Sequence, residues 1–405
     1  MRISRFALLL FLLGLLFVGT PALAEDDYPV AGLLPKAETG ATRFLEAHPE
    51  WDGRGVVVAI FDTGVDPGAP GLQTTSDGRP KVIDLVDGSG SGDVDTSVVR
   101  TLEEGAFEGL SGRKLTPDPK WTNPTGKWHV GLKRAFELFP AELVARLEKK
   151  RKKAFFEQHR KIQSRLERRH AALQGVEGAD AQRERVDTKK QLGVLASLAS
   201  GYDDPGPVMD CVVFHDGTHW RAVVDADEDG DLAEHKALTN FSIERQYDTF
   251  GKEDLLNYGV NIYDEGKLLS IVADSGAHGT HVAGIVAAHH PDQPARNGLA
   301  PGAQIVSVKI GDSRLGSSST GTGDERGVVA VLRNKCDLVN MSYGGASRAV
   351  GNDWQARLLT ELVEHHNVIF VSSAGNDGPC LSTVGSPGGT TTALLGIGAF
   401  VSKSM

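Results

Sequence analysis

A repeated rhythm constrains this chain more than any other feature. Val56-Val57-Val58-Ala59-Ile60-Phe61 is a short unbroken apolar run, and similar runs recur at Gln304–Ile310, Leu338–Met341, Val368–Ser373 and Ala393–Ile397. Apolar runs of this length suit strands buried on both faces. Between them lie helix-like stretches at His278–Ala288, Asp324–Asn334 and Trp354–His365, with short Gly-rich joints. Strand and helix in alternation specify a mostly parallel sheet with helices on both faces, an α/β three-layer sandwich. The 48 glycines and 6% aromatic content fit the many tight turns that such a fold needs. A formal net charge of -10 argues against general nucleic-acid or membrane-surface binding. Three cysteines (Cys211, Cys336, Cys380) are too few for a disulfide scaffold.

The first 24 residues read as an address. Arg2 and Arg5 precede an apolar run from Phe6 to Val18, and Ala22-Leu23-Ala24 is a small-x-small cleavage site followed by Glu25-Asp26-Asp27. The run gives about 20 Å of helix, short of a hydrocarbon core of about 30 Å. A secretory signal peptide over residues 1–24 is expected. The mature chain then begins near Glu25, has no membrane partner after signal removal, and is secreted or periplasmic.

Residues 77–266 interrupt the rhythm and read as an insert. Its segment from about 140 to 200 is helical and basic: Ala141–Arg169 is almost free of Gly and Pro, with apolar positions at Leu143, Leu147, Phe155, Ile162 and Leu166. An amphipathic helix with a solvated basic face, hairpinned with Arg185–Leu198, is expected. A nucleic-acid arm is disfavoured, because the charges are not regularly interleaved with aromatic residues as stacking recognition wants. Residues 201–266 read as short strands and turns. The α/β unit is thus expected to consist of residues 25–76 and 267–405.

Three motifs carry chemistry. Ile60-Phe61-Asp62-Thr63-Gly64 places an aspartate at the carboxyl end of a buried strand, where α/β sheets hold ligands. Gly276-Ala277-His278-Gly279-Thr280-His281 opens a helix with a histidine between glycines that permit close packing. Val371-Ser372-Ser373-Ala374-Gly375-Asn376 runs a strand into an asparagine whose amide can donate to a developing oxyanion. Asp, His and a downstream oxyanion Asn follow one of the known chain orders of Ser-His-Asp enzymes.

On these residues the sequence resembles the subtilase family of serine proteases, with His278-Gly279-Thr280-His281-Val282-Ala283-Gly284 the most specific string. The resemblance implies a subtilisin-like fold acting on a peptide or protein substrate without a cofactor. It implies that Asp62 orients His278, that His278 is the general base, and that Asn376 stabilises the tetrahedral oxyanion. Ser342-Tyr343-Gly344 resembles the substrate-binding strand, offering backbone edges to an extended peptide. His281 resembles a packed structural histidine. Asp62–Gly71, Asn257–Asp264, Cys336–Asn340 and Gly375–Gly385, with the long gap between Asp62 and His278, are similar to the tripeptidyl-peptidase II subgroup. Membership there implies a homo-oligomer for the full-length protein.

The pattern breaks in two places. The family's Gly-Thr-Ser-x-Ala/Ser-x-Pro string is not found, and Gly389-Thr390-Thr391-Thr392-Ala393 lies too near Asn376 for Thr391 to replace it. The chain is therefore read as truncated before the catalytic serine and unable to form an acyl-enzyme by itself. In addition, the subgroup's acidic anchors for the substrate's α-amine correspond here to Ser319 and Gly345. Without that charge-assisted anchor, endopeptidase behaviour is expected in place of strict tripeptide release.

Three rival readings compete with this one. A non-catalytic secreted pseudoenzyme shares the fold and differs in activity. An aspartic protease would pair Asp62-Thr63-Gly64 with Asp274-Ser275-Gly276, against the α/β rhythm. A calcium-binding module would use Asp225, Asp227, Asp229 and Asp231, although Lys236 stands where an EF-hand loop has its bidentate Glu. An acidic turn is the expected reading of that loop. Zinc-type spacing is not seen, and the pairs His289-His290 and His365-His366 point to different sides of a helix, so no metal site is expected.

Overall fold

The computed structural model describes residues 35–251, 254–346, 350 and 354–400. The signal peptide expected over 1–24 lies outside the described residues.

Alternate residues of one strand explain the layering. In β1 (Val57–Asp62), Val58 and Ile60 face one way, into a cluster with Ala283, Ala287 and Ile305. Ala59 and Phe61 face the other way, into a cluster with Val308, Val331, Leu359 and Phe370. A strand with period-two geometry and no polar face must be covered on both sides. Five strands accompany it: β2 (Val82–Asp87), β3 (Gln304–Lys309), β4 (Leu338–Met341), β5 (Ile369–Ser373) and β6 (Leu395–Ile397). Their spatial order is β6-β5-β4-β1-β3-β2, and every pairing is parallel. The sandwich predicted from the rhythm is observed.

The long helices divide between an outlying hairpin and the two faces of the sheet. The hairpin is α1 (Ala141–Ala172) and α2 (Ala179–Ser200). On the sheet, α3 (His278–Ala287) covers the Val58/Ile60 face, while α4 (Gly321–Arg333) and α5 (Trp354–His366) cover the Phe61 face. Phe61 and Phe370 meet edge to face there, ring centroids 6.1 Å apart. The hairpin is held by polar contacts: Arg169 bonds Glu184 at 2.6 Å, and Arg185 Nη1 donates to the carbonyls of Leu173 and Val176, each at 2.8 Å. Its remaining basic side chains are largely solvated, as the amphipathic pattern suggested.

The insert differs from the sequence boundaries at both ends. β2 lies within residues 77–266 yet pairs with β3 in the central sheet. Asp84 and Asp87 obscured this strand, because buried carboxylates break an apolar run. Asp84 is accommodated by bonds from Arg333 at 3.1 Å and Asn334 at 3.0 Å. At the other end, Leu268–Ala273 pairs antiparallel with Leu256–Tyr263 and so belongs to an insert sheet. A second antiparallel sheet joins Val98–Arg100, Trp128–Arg134, Val208–His215 and Trp220–Val224. Both sheets send side chains into one core that includes Phe250, Tyr258, Val213 and Val224.

Candidate active site

Asp62 ends β1 with its side chain fully buried. Its Oδ1 accepts the Thr63 N–H at 2.8 Å and stands 2.7 Å from His278 Nδ1. Burial raises the Asp62 pKa, and the bonds from His278 and Thr63 oppose that rise. The His278 side chain is 54% exposed, so the ring is anchored at Nδ1 and open to solvent elsewhere. A donor at Nδ1 leaves Nε2 with a lone pair, the form that a general base requires.

Two turns lock this contact in place. Ser275 N–H donates to the Thr63 carbonyl at 2.8 Å, and the Thr63 hydroxyl donates to the Gly276 carbonyl at 2.7 Å. That hydroxyl also accepts the Gly279 N–H at 2.9 Å, capping the first turn of α3. Gly279 is required sterically: a Cβ there would lie 2.1 Å from the Gly64 carbonyl oxygen and 3.0 Å from Asp62 Cβ. Gly64 has φ +108°, a conformation open to glycine and strained for other residues. Glycines on both partners let helix and strand approach closely enough for the imidazole to meet the carboxylate.

Asp274 lies beneath the same turn. Its Oδ2 accepts the Thr280 hydroxyl at 3.0 Å, and Thr280 Oγ1 accepts the Asp66 N–H at 2.9 Å. Burial, with the nearby charges of Asp66 and Asp62, pushes the Asp274 carboxyl up to about 8, against the Thr280 bond. The aspartic-protease pairing is not formed: Asp62 is bonded to His278 and Asp274 to Thr280. His281 is exposed, contrary to the packed role expected for it, and Thr280 makes the inward contacts of that turn. Thr63 and Thr280 carry no distinctive sequence signal as site-builders, because they are hydroxyls in Gly-rich turns, and Asp274, which the sequence offers only as an aspartic-protease partner, serves instead as the acceptor for Thr280.

The sheet register brings the other candidates to this edge. Phe61 pairs with Met341, and Met341 with Ser372. Asp62, Ser342 and Ser373 therefore leave three parallel strands at one level, on the carboxyl edge where such sheets bind ligands. Tyr343 OH donates to the Ser317 carbonyl at 2.9 Å, and Asn340 Nδ2 to Ser342 Oγ at 3.1 Å. Burial and the Asp62 charge push the Tyr343 phenol up to about 12. A Cβ on Gly344 would lie 2.7 Å from the Ser386 carbonyl oxygen, and Gly345 exchanges both backbone bonds with Ser386, at 3.0 and 2.8 Å. The Ser342–Gly344 segment is thus held from both sides. Asn376 is exposed in the bend after β5. Thr391 lies elsewhere, its hydroxyl 3.2 Å from Thr360 Oγ1 on α5.

The four acidic candidates of the insert loop separate. Asp229 and Asp231 accept backbone N–H groups of the loop itself, from Asp231 at 2.7 Å and Ala233 at 3.0 Å. Asp225 and Asp227 instead approach His235.

A model of the subtilase family matches residues 53–405. The chain belongs to the subtilase family. This subtilase is 49% identical to tripeptidyl-peptidase 2 of Oryza sativa subsp. japonica over 397 residues, 95% of this chain and 29% of that protein. It is 49% identical to tripeptidyl-peptidase 2 of Arabidopsis thaliana over 390 residues, covering 93% of this chain and 28% of the relative. A crystal structure of tripeptidyl peptidase 2 matches with TM-score 0.72 at 32% identity, over 91% of this chain and 30% of that one. The chain spans less than a third of the length of these relatives.

Proposed function

We propose that this subtilase supplies the Asp-His half of a peptide-bond hydrolase active site, with Asp62 as the orienting carboxylate and His278 as the general base. The observation that carries the reading is the 2.7 Å contact between buried Asp62 Oδ1 and His278 Nδ1. His278 takes a proton at Nε2 from a serine hydroxyl as that oxygen attacks the scissile carbonyl. The imidazolium, stabilised by Asp62, returns the proton to the leaving amine. Asn376 donates to the oxyanion, and Ser342-Tyr343-Gly344 aligns the peptide as an added strand. The nucleophilic serine is not assigned to any of the 405 residues.

The substrate is a peptide or protein, and the site is proposed to cleave internally as well as near a free amino terminus. Ser319 and Gly345 support this, since neither offers a carboxylate to hold an α-ammonium group. The leader-like Met1–Ala24 segment supports export of the protein.

Fluorophosphonate labelling of this chain alone, and of a fusion that appends the serine-bearing segment of a tripeptidyl-peptidase 2 relative, tests this assignment. The 405-residue chain should stay unlabelled, and the fusion should label at one serine in a His278-dependent way. Labelling of the 405-residue chain itself would place the nucleophile among the residues present and overturn that part of the proposal. A product ladder from an N-blocked peptide tests specificity. Strict dependence on a free amine would refute internal cleavage.

A further inference from the structure

The acidic loop after strand Trp220–Val224 leads into the 3-10 turn Leu232–Glu234. Asp229 and Asp231 are spent on loop backbone; Asp225 accepts the Gly230 N–H at 3.4 Å through Oδ1 alone, and it converges with Asp227 and His235. Each of these three offers one ligand atom, and those atoms lie within 4.8 Å of one another. Asp225 is 0% exposed, and its Oδ2 is buried without a hydrogen-bond partner among the described residues. The Arg113 guanidinium is 3.8 Å from that oxygen and is bonded elsewhere, to Asp210 at 3.1 Å and Glu228 at 2.7 Å. A buried carboxylate oxygen with no donor is costly and asks for a ligand.

The third residue decides the chemistry. His235 Nε2 lies 3.3 Å from Asp227 Oδ1. That is long for a charge-assisted hydrogen bond, which measures about 2.7–2.9 Å. It agrees with the spacing of about 3.3 Å between two ligands that each sit about 2.0 Å from a tetrahedral zinc ion. Calcium prefers six to eight oxygen ligands and disfavours imidazole, whereas mixed nitrogen and oxygen sites suit divalent transition ions. Lys236 also occupies the calcium-loop position that needs a carboxylate, and its amine donates to the Tyr247 carbonyl at 3.0 Å.

We propose that Asp225, Asp227 and His235 bind a divalent transition-metal ion of the zinc type. Small side-chain movements bring the three ligands onto the ion, and a fourth position is left for water. The ion clasps the end of the insert sheet's edge strand to the following turn, so its role is structural. The site belongs to the insert and not to the central sheet that carries Asp62, so it stands apart from the peptidase reading. Sequence spacing hid it because a histidine ten residues after the first aspartate fits no common zinc pattern.

Calorimetric titration of chelator-treated protein with zinc chloride and calcium chloride tests the proposal, with melting temperature as a second readout. Zinc should bind with about one-to-one stoichiometry and raise the melting temperature, and calcium should do neither. His235→Ala and Asp227→Asn alter partly or well exposed side chains and should each weaken zinc binding at least tenfold. Asp229→Asn, two positions from the ligand Asp227 along the acidic run, should keep wild-type affinity. Zinc binding that survives His235→Ala unchanged would show an adventitious surface site and overturn the proposal. So would a calcium response that exceeds the zinc response, or the absence of binding by either ion. If His235→Ala lowers stability without metal present, the titration still decides, because it compares metal affinity between folded proteins.

Discussion

His278 Nδ1 lies 2.7 Å from Asp62 Oδ1, joining residues 216 positions apart in the sequence. The bond fixes both the tautomer and the direction of the ring. In a fusion that appends a serine-bearing segment of a relative, Asp62→Asn keeps the shape and removes the charge. Its kcat on a peptide substrate should fall by about 10⁴, with little change in KM. A loss confined to KM would show that Asp62 binds substrate and does not orient the base.

Asn376 is exposed beside the carboxyl edge, free to reach a bound carbonyl. Asn376→Ala in the same fusion should lower kcat by about 10²–10³ and leave the melting temperature nearly unchanged. Unchanged kcat would remove Asn376 from the oxyanion role.

Gly279 has no room for a methyl group. Gly279→Ala drives a carbon into the Gly64 carbonyl and levers α3 off the end of β1. Overpacking of this kind costs about 1–3 kcal/mol. Denaturant unfolding should show that loss, and activity should fall further than stability alone explains, because the Asp62–His278 distance opens. Wild-type stability and activity together would contradict the packing described.

Asp274 gives a pH dependence of defined sign. Its native carboxyl binds a proton more tightly than an unfolded aspartate does, at about 8 against 3.8. That contribution to stability is complete below the unfolded value and is lost as pH rises through the native one, by at most about 1.4 kcal/mol per pH unit. Asp274→Asn cannot ionise and can still accept the Thr280 hydroxyl. Denaturation of both proteins from pH 4 to pH 8 should show the variant gaining steadily on the wild type. A constant difference across that range would mean that Asp274 titrates normally.

Lys309 ends β3 directly opposite Asp62 in the parallel register. Its side chain is 1% exposed, and Nζ lies 3.6 Å from buried Asp87, with bonds to Ser89 at 3.3 Å and to Ser91. Lys309→Met leaves the Asp87 charge buried without its counter-ion, a loss of about 3–5 kcal/mol. Urea denaturation checks this, and a loss below about 1 kcal/mol would show that the Ser89 and Gly92 bonds alone satisfy Asp87.

The sequence determined whatever depends on local pattern. Unbroken apolar runs such as Val57–Phe61 must be covered on both faces, so the sandwich was legible. The Gly-flanked His278 and the strand-end Asp62 were legible because each sits at a junction whose geometry is set by its immediate neighbours. The strand β2 was not legible, since Asp84 and Asp87 look like loop residues until Arg333, Asn334 and Lys309 arrive to pair with them. Nor were the inward role of Thr280, the displaced proton of Asp274, or the meeting of His235 with Asp225 and Asp227. Each of these depends on a partner's distance through space and on how much water the fold excludes. Desolvation and long-range pairing are properties of the packed chain, and only the tertiary structure decides them.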